Sequence, residues 1–288
     1  MTPGGDKAAI PLVELTESHR FDSELATLLT RFQYHKDGIR LTAAEPRPLP
    51  ASAYTAPTTG IEAVFGSSSS LVFVCYDDRE NQMVNPIEVS LSEALSTAIG
   101  RPGIRTDGGR AQSPVEESTA GHIPDPGVTD TWTGESDGAP LSFGVVTPHN
   151  AQRGALETRF CGEITANTVE RYQGGERDVI AVSATVSDPD FARREEKFIL
   201  NPNRLLVAIS RSRLLTVVVC STALFEVAPK ESDDLENGPV WARLFTQAVG
   251  RNPDPTWEGD LDEFIGTSGD EYADIPVRVY PSTISPPE

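Results

Sequence analysis

Two short clusters hold most of the residues able to do chemistry. The first is T-V-E-R-Y-Q-G-G-E-R-D-V-I, residues 168–180. Its Gln173-Gly174-Gly175-Glu176 turn leads into an apolar run and offers an amide, a carboxylate and a backbone that another backbone can approach closely. In an open α/β sheet, ligands bind beyond the carboxyl ends of the strands, and the turn is predicted there. The second cluster is N-P-N-R-L-L-V-A-I-S-R-S-R, 201–213, predicted as one helix. Seven-residue spacing places Arg204 and Arg211 on one face, with Arg213 pointing elsewhere to solvent. Guanidinium groups at the end of a buried helix are costly without an anionic partner, and phosphate suits their fork. Arg204 by itself reads more readily as a structural ion-pair former than as a catalytic group.

The elements that must position these clusters alternate. F-G-V-V-T (143–147), E-I-T-A-N-T (163–168), D-V-I-A-V-S-A (178–184) and L-T-V-V-V-C-S (215–221) have strand length and composition. A helix over 150–160 lies between the first two. Earlier, 22–34 has leucines at helical spacing, 70–76 is a short apolar strand, and 86–99 is a helix opening on Pro86. Near-continuous apolar strands alternating with helices predict an α/β fold, a mostly parallel sheet covered on both faces.

Composition bounds the rest. The chain has 288 residues and a net charge of −19. Residues 141–224 hold 10 Lys/Arg and 9 Asp/Glu, whereas 1–140 hold 10 and 20, and 225–288 hold 4 and 14. Acidity therefore belongs to the flanks, as expected of a soluble surface or of adaptation to a salty cytoplasm. Apolar runs are too short for a membrane span. The first residues lack a signal-peptide layout, and three isolated cysteines give neither a disulfide framework nor a CxxC site; a cytoplasmic address follows. His35, His122 and His149 have no metal-ligand spacing, and no nucleophile–base pair stands out. The predicted organisation is a first part of the domain at 1–99, a flexible acidic insertion at 100–140, the core at 141–225, a terminal helix within 226–250, and an acidic tail at 251–288. That tail reads as disordered, or as a partner-binding segment.

In this order the two clusters resemble motifs V and VI of superfamily 1 helicases, in the 5′-to-3′ branch of replication-type and nonsense-decay helicases. Further pieces fit. L-T-E-S-H-R-F-D-S-E-L, 15–25, is similar to the segment between motifs III and IV, with His19-Arg20 where a Tyr-Arg pair is usual. N-P-I-E-V, 85–89, is similar to the family's Asn-Pro-x-Glu-Ala helix start, and G-V-V-T-P-H-N-A-Q, 144–152, to motif IV. The resemblance spans about residues 12–225 and implies one RecA-like lobe of a P-loop NTPase. It assigns Arg211 as an arginine finger on the γ-phosphate and Arg20 as a second phosphate-binding arginine. It puts His19 near the adenine, Glu176 on the ribose, and Gln173 with Gly174 in the turn coupling nucleotide to nucleic acid. Thr147, Pro148, Gln152 and Thr168 would line a single-strand track.

The sequence contains no G-x-x-x-x-G-K-[ST]. V-F-V-C-Y-D-D-R-E, 72–80, imitates a Walker B strand, but no P-loop precedes it, so Asp77 and Asp78 are read as a solvent-facing strand end. The resemblance thus implies a second lobe without the first. ATP would be shared with a first RecA-like lobe, which would hold the Mg²⁺, and the partner would be single-stranded nucleic acid. The alternative is a helicase-derived binding module that does not turn over.

Overall fold

The computed structural model describes residues 17–18, 22–43, 49–99, 141–161, 164–172, 175–228, 239–267 and 274–284. The expected insertion at 100–140, and His19, Arg20, Gln173 and Gly174, lie outside the described residues.

In chain order the elements are β1 (Glu17–Ser18), α1 (Ser23–Phe32), β2 (Thr42–Ala43), α2 (Thr59–Phe65), β3 (Leu71–Tyr76), α3 (Pro86–Ala98), β4 (Phe143–Thr147), α4 (Asn150–Phe160), β5 (Thr165–Thr168), β6 (Arg177–Ser183), α5 (Pro189–Arg194), α6 (Glu196–Ile199), α7 (Pro202–Ile209), β7 (Ser212–Ser221), α8 (Val240–Ala248), β8 (Trp257–Asp260), α9 (Leu261–Ile265) and β9 (Pro276–Pro281). The main sheet runs β5-β4-β6-β7-β3-β9-β8. The first five strands are parallel, and β9 and β8 add antiparallel at the β3 edge. Parallel strands buried on both faces require apolar side chains at every position, and all six residues of β3 are buried. One core forms where α1 and α5 to α8 cover one face, with Leu25, Leu206 and Trp241 among its members. The other forms beneath α2, α3, α4 and α9, with Ile61, Leu91, Leu156 and Phe264. The chain is an α/β lobe of the RecA-like kind, a mostly parallel sheet with helices on both faces.

Local signals set the helix starts. Asp22, Asn85 and Asn201 each accept backbone N–H bonds at the first turns of α1, α3 and α7, and Pro86 and Pro202 follow the latter two. The end of α7 differs from the expectation. The helix stops at Ile209 rather than running to 213, and Arg213 belongs to β7. The β-branched run Thr216–Val219 is committed to pairing with β3 and β6, and that pairing begins at Ser212 opposite Arg177. Arg211 therefore sits in the turn between helix and strand, not on the helical face of Arg204.

The tail is the larger correction. Within residues 251–284, β8 and β9 join the sheet and α9 packs against it, so α8 is not terminal. In β9, Val277 and Val279 are fully buried, while Arg278 between them faces Asp77 at 3.0 Å and Glu258 at 2.7 Å. Trp257 and Phe264 meet edge to face, 5.5 Å between centroids, and Phe264 lies where a side chain on Gly60 would stand. The acidic composition hid this, because Asp262 and Glu263 occupy the first turn of α9, where the helix dipole favours them. The Walker B imitation has a structural role too. Asp77 binds Arg278 and accepts from the Thr222 hydroxyl at 2.6 Å, and Asp78 accepts from Asn81 and Ser187.

Candidate functional site

From β4 the chain steps outward to β5 and then returns to β6 on the other flank of β4. Strand order therefore reverses between β4 and β6, and the carboxyl ends there splay apart around a crevice. A small open cleft occupies that place, and its lining includes Thr147, Pro148, Ala184, Phe198, Arg204 and Trp241. The Trp241 indole N–H donates to the Ile199 carbonyl at 3.1 Å. Arg204 lies over the Phe198 ring, 3.7 Å from its centroid, and forms an ion pair with Glu170 just beyond Thr168. The His149 ring is 5.4 Å from Phe198. Burial lowers the His149 pKa, with Glu195 opposing and Arg204 reinforcing the shift.

Beside the cleft lies a buried polar network. Glu88 accepts from the Tyr76 hydroxyl at 2.7 Å, the Ser183 hydroxyl at 2.5 Å and the Thr185 amide at 2.8 Å. Asn85 donates through its side chain to Tyr76 and to the Thr185 carbonyl, and its amide donates to Gln152. Thr147 and Thr185 share a 2.8 Å bond between hydroxyls. Thr185 has φ of 68°, a strained value for a β-branched residue, and its amide and carbonyl are both held by this network. Burial raises the Glu88 pKa to about 7 against the opposing pull of its hydrogen bonds. Burial and the neighbouring Glu88 push the Tyr76 phenol well up, so it stays a donor.

Thr147 and Gln152 are both fully buried. The Thr147 hydroxyl ties the end of β4 to Thr185, and Gln152 ties the start of α4 to Ser183 and to the Asn85 cap of α3. Thr168 is also buried, while Pro148 is partly exposed at the mouth of the cleft. The network was missed in the sequence, although one signal was present. Glu88 lies on the same helical face as Leu91 and Leu95, where a carboxylate has to find buried partners.

Glu176 and Arg211 come together elsewhere. Glu176 immediately precedes β6, and Arg211 immediately precedes β7, so both stand at the amino ends of their strands, opposite the cleft. The expected position of Glu176, beyond carboxyl ends, is corrected accordingly. Tyr172, which follows β5, already lies against Gly144 and Arg177 near the amino ends of β4 and β6. The Arg177 amide donates to the Arg211 carbonyl at 3.3 Å, and the Arg213 Nε donates to Glu176 at 3.3 Å. Arg213 is thus paired rather than solvent-facing. Arg211 is largely buried, its Nε donating to the Val207 carbonyl at 3.0 Å. Among the described residues, no group of three His, Cys, Asp or Glu is placed to hold a metal ion, and no helix is long and apolar enough to cross a membrane.

Residues 131–223 match the family model of an AAA domain. The chain is also similar to proteins named as helicases. It is 32% identical over 93 residues to "Probable RNA helicase armi" of Drosophila melanogaster, covering 30% of this chain and 8% of that protein. It is 31% identical over 90 residues to "Regulator of nonsense transcripts 1 homolog" of the same fly, covering 28% and 7%, and 28% identical over 120 residues to the protein of that name in Arabidopsis thaliana, covering 35% and 9%. The aligned parts span about a tenth or less of the length of these relatives.

Proposed function

We propose that this chain is the second RecA-like lobe of a superfamily 1 helicase, which works on ATP and a single nucleic-acid strand together with a first lobe. One observation supports this most directly: Arg211 and Glu176 stand together at one end of the sheet, while Pro148 and the Arg204 cleft stand at the other. Nucleotide and strand would thereby have separate ends of one rigid sheet. The relatives' names, which include an RNA helicase, agree with this reading.

Among the described residues, those at the amino ends suit a nucleotide. Arg211 is braced by the Val207 carbonyl, which fixes where its guanidinium leaves the turn. Glu176 is held by Arg213 and so presents its carboxylate in one place for a ribose. Arg20, His19, Gln173 and Gly174 complete the nucleotide side in this reading. A first lobe supplies the phosphate cradle and the Mg²⁺ ligands, and ATP supplies the phosphoryl group. Phosphoryl transfer depends on positioning and charge stabilisation, and an arginine finger contributes about 10³–10⁵ in rate where it has been measured. With a first lobe present, Arg211→Ala is expected to lower kcat about 10³-fold, with nucleotide affinity within a few-fold of wild type. Equal loss of both would overturn the finger role. Robust strand-stimulated hydrolysis by the 288-residue chain alone would overturn the need for a first lobe.

A non-hydrolysing binding module is the second reading, favoured by the lack of a G-x-x-x-x-G-K-[ST] in these residues. A partner-binding tail no longer supports it, because the described part of 251–288 is built into the sheet.

A further inference from the structure

We infer that the cleft between β4, β6 and α7 is a base-stacking pocket, in which the Arg204 guanidinium, backed by Phe198, takes the face of an unstacked nucleobase without reading its sequence. The inference rests on the reading that this end of the sheet meets a single strand.

Three features point to stacking rather than to phosphate binding. The guanidinium already lies on the Phe198 ring and is pinned at its edge by Glu170, so its plane is fixed before any ligand arrives. Its side chain is still 28% exposed and lines the cleft. The Glu170 carboxylate offsets the positive charge that a phosphate would need, but it leaves a planar cation available for stacking. Arg guanidinium planes and aromatic rings are the usual partners of unstacked bases.

The remaining lining explains the lack of sequence reading. Its polar groups are already committed: the Thr147 hydroxyl to Thr185, Ser183 to Glu88, the Trp241 N–H to Ile199, and the Asn201 oxygen to the first turn of α7. With most of these groups engaged inside the protein, little is left among them to discriminate base edges. Such a pocket would accept any base by its π-face, as sequence-tolerant single-strand binders do.

The test uses the full chain and three probes of equal length and charge: a thymidine oligonucleotide, an adenosine oligonucleotide and an abasic phosphodiester, read by fluorescence anisotropy. Stacking changes affinity about five- to 150-fold per base, so wild type should prefer both base-bearing strands over the abasic one by at least about fivefold. Arg204→Lys keeps the charge and the Glu170 partner but loses the plane. It should abolish that preference and leave abasic binding unchanged. Phe198→Leu, which keeps the apolar filling, should reduce the preference in the same way. Arg204→Lys weakening all three probes equally would make it a phosphate contact and overturn the inference. Wild type binding all three alike would overturn it and leave the helicase-lobe reading standing. Binding of none would remove the strand-binding reading of this end, and the inference with it.

Discussion

At Gly144, near the start of β4, an added Cβ would overlap the Tyr172 hydroxyl and press on Arg177. Tyr172, just after β5, is buried. A residue without a side chain at 144 is thus what lets the Tyr172 ring lie against the start of β4. Gly144→Ala should cost about 1–3 kcal/mol, the range for overpacking a tight core, read from the urea midpoint. Tyr172→Phe removes the overlapping oxygen, so the double variant should recover much of that loss. Additive losses would show that the overlap is relieved elsewhere. Single residues in contact with distant ones were the least legible in the sequence. Arg204 reads there as an ion-pair former and Arg213 as solvent-facing, and nothing local names Glu170 and Phe198 as partners of the one or Glu176 as partner of the other.

At the scale of the element, α3 ties the carboxyl end of the sheet together. Its cap Asn85 and its buried Glu88 bind Tyr76, Ser183 and Thr185, and Gln152 extends the tie to α4. The chemistry of Glu88 makes this tie depend on pH. Unfolded, the carboxyl loses its proton near its ordinary value of 4.5; folded, it keeps the proton until about 7. The folded state therefore binds more protons between those values, and the stability this contributes is lost as pH rises through them. A shift of this size corresponds to about 3 kcal/mol. Wild type should show a falling component of stability from about pH 5 to pH 8 that is missing in Glu88→Gln, measured as urea midpoints across that range. Parallel profiles for the two proteins would refute the assignment. The start of α3 is plain in the sequence from Asn85-Pro86, but its partners are strand ends up to 100 residues away and leave no local trace.

At the scale of the molecule, the acidic carboxyl-terminal segment completes the sheet. β9 covers the edge of β3, and with β8 and α9 it buries Leu261, Phe264, Val277 and Val279. Each such side chain contributes about 1.5–3 kcal/mol when buried, and together they are comparable with the roughly 5–15 kcal/mol stability of a whole domain. Deleting residues 251–288 should therefore abolish cooperative thermal unfolding or drive aggregation through the uncovered β3 edge, seen by calorimetry and size-exclusion chromatography. An unchanged Tm would mean that the segment is an appendage.

The sequence by itself determined the α/β class, the parallel strands of the central block and the order of the helicase-like motifs. Those features rest on local periodicity, capping residues and β-branched runs, which act within a few residues of one another. Only the tertiary structure decided that the acidic segment joins the sheet, since the alternation in P-V-R-V-Y-P becomes a strand only against β3. It also decided that Arg211 leaves its helix, because pairing with β6 competes with helix propensity and begins at Ser212. And it split the first cluster. Thr168 closes β5 at its carboxyl end and Glu176 precedes β6 at its amino end, and because the two strands run parallel, the two residues stand at opposite ends of the sheet despite their short separation in sequence.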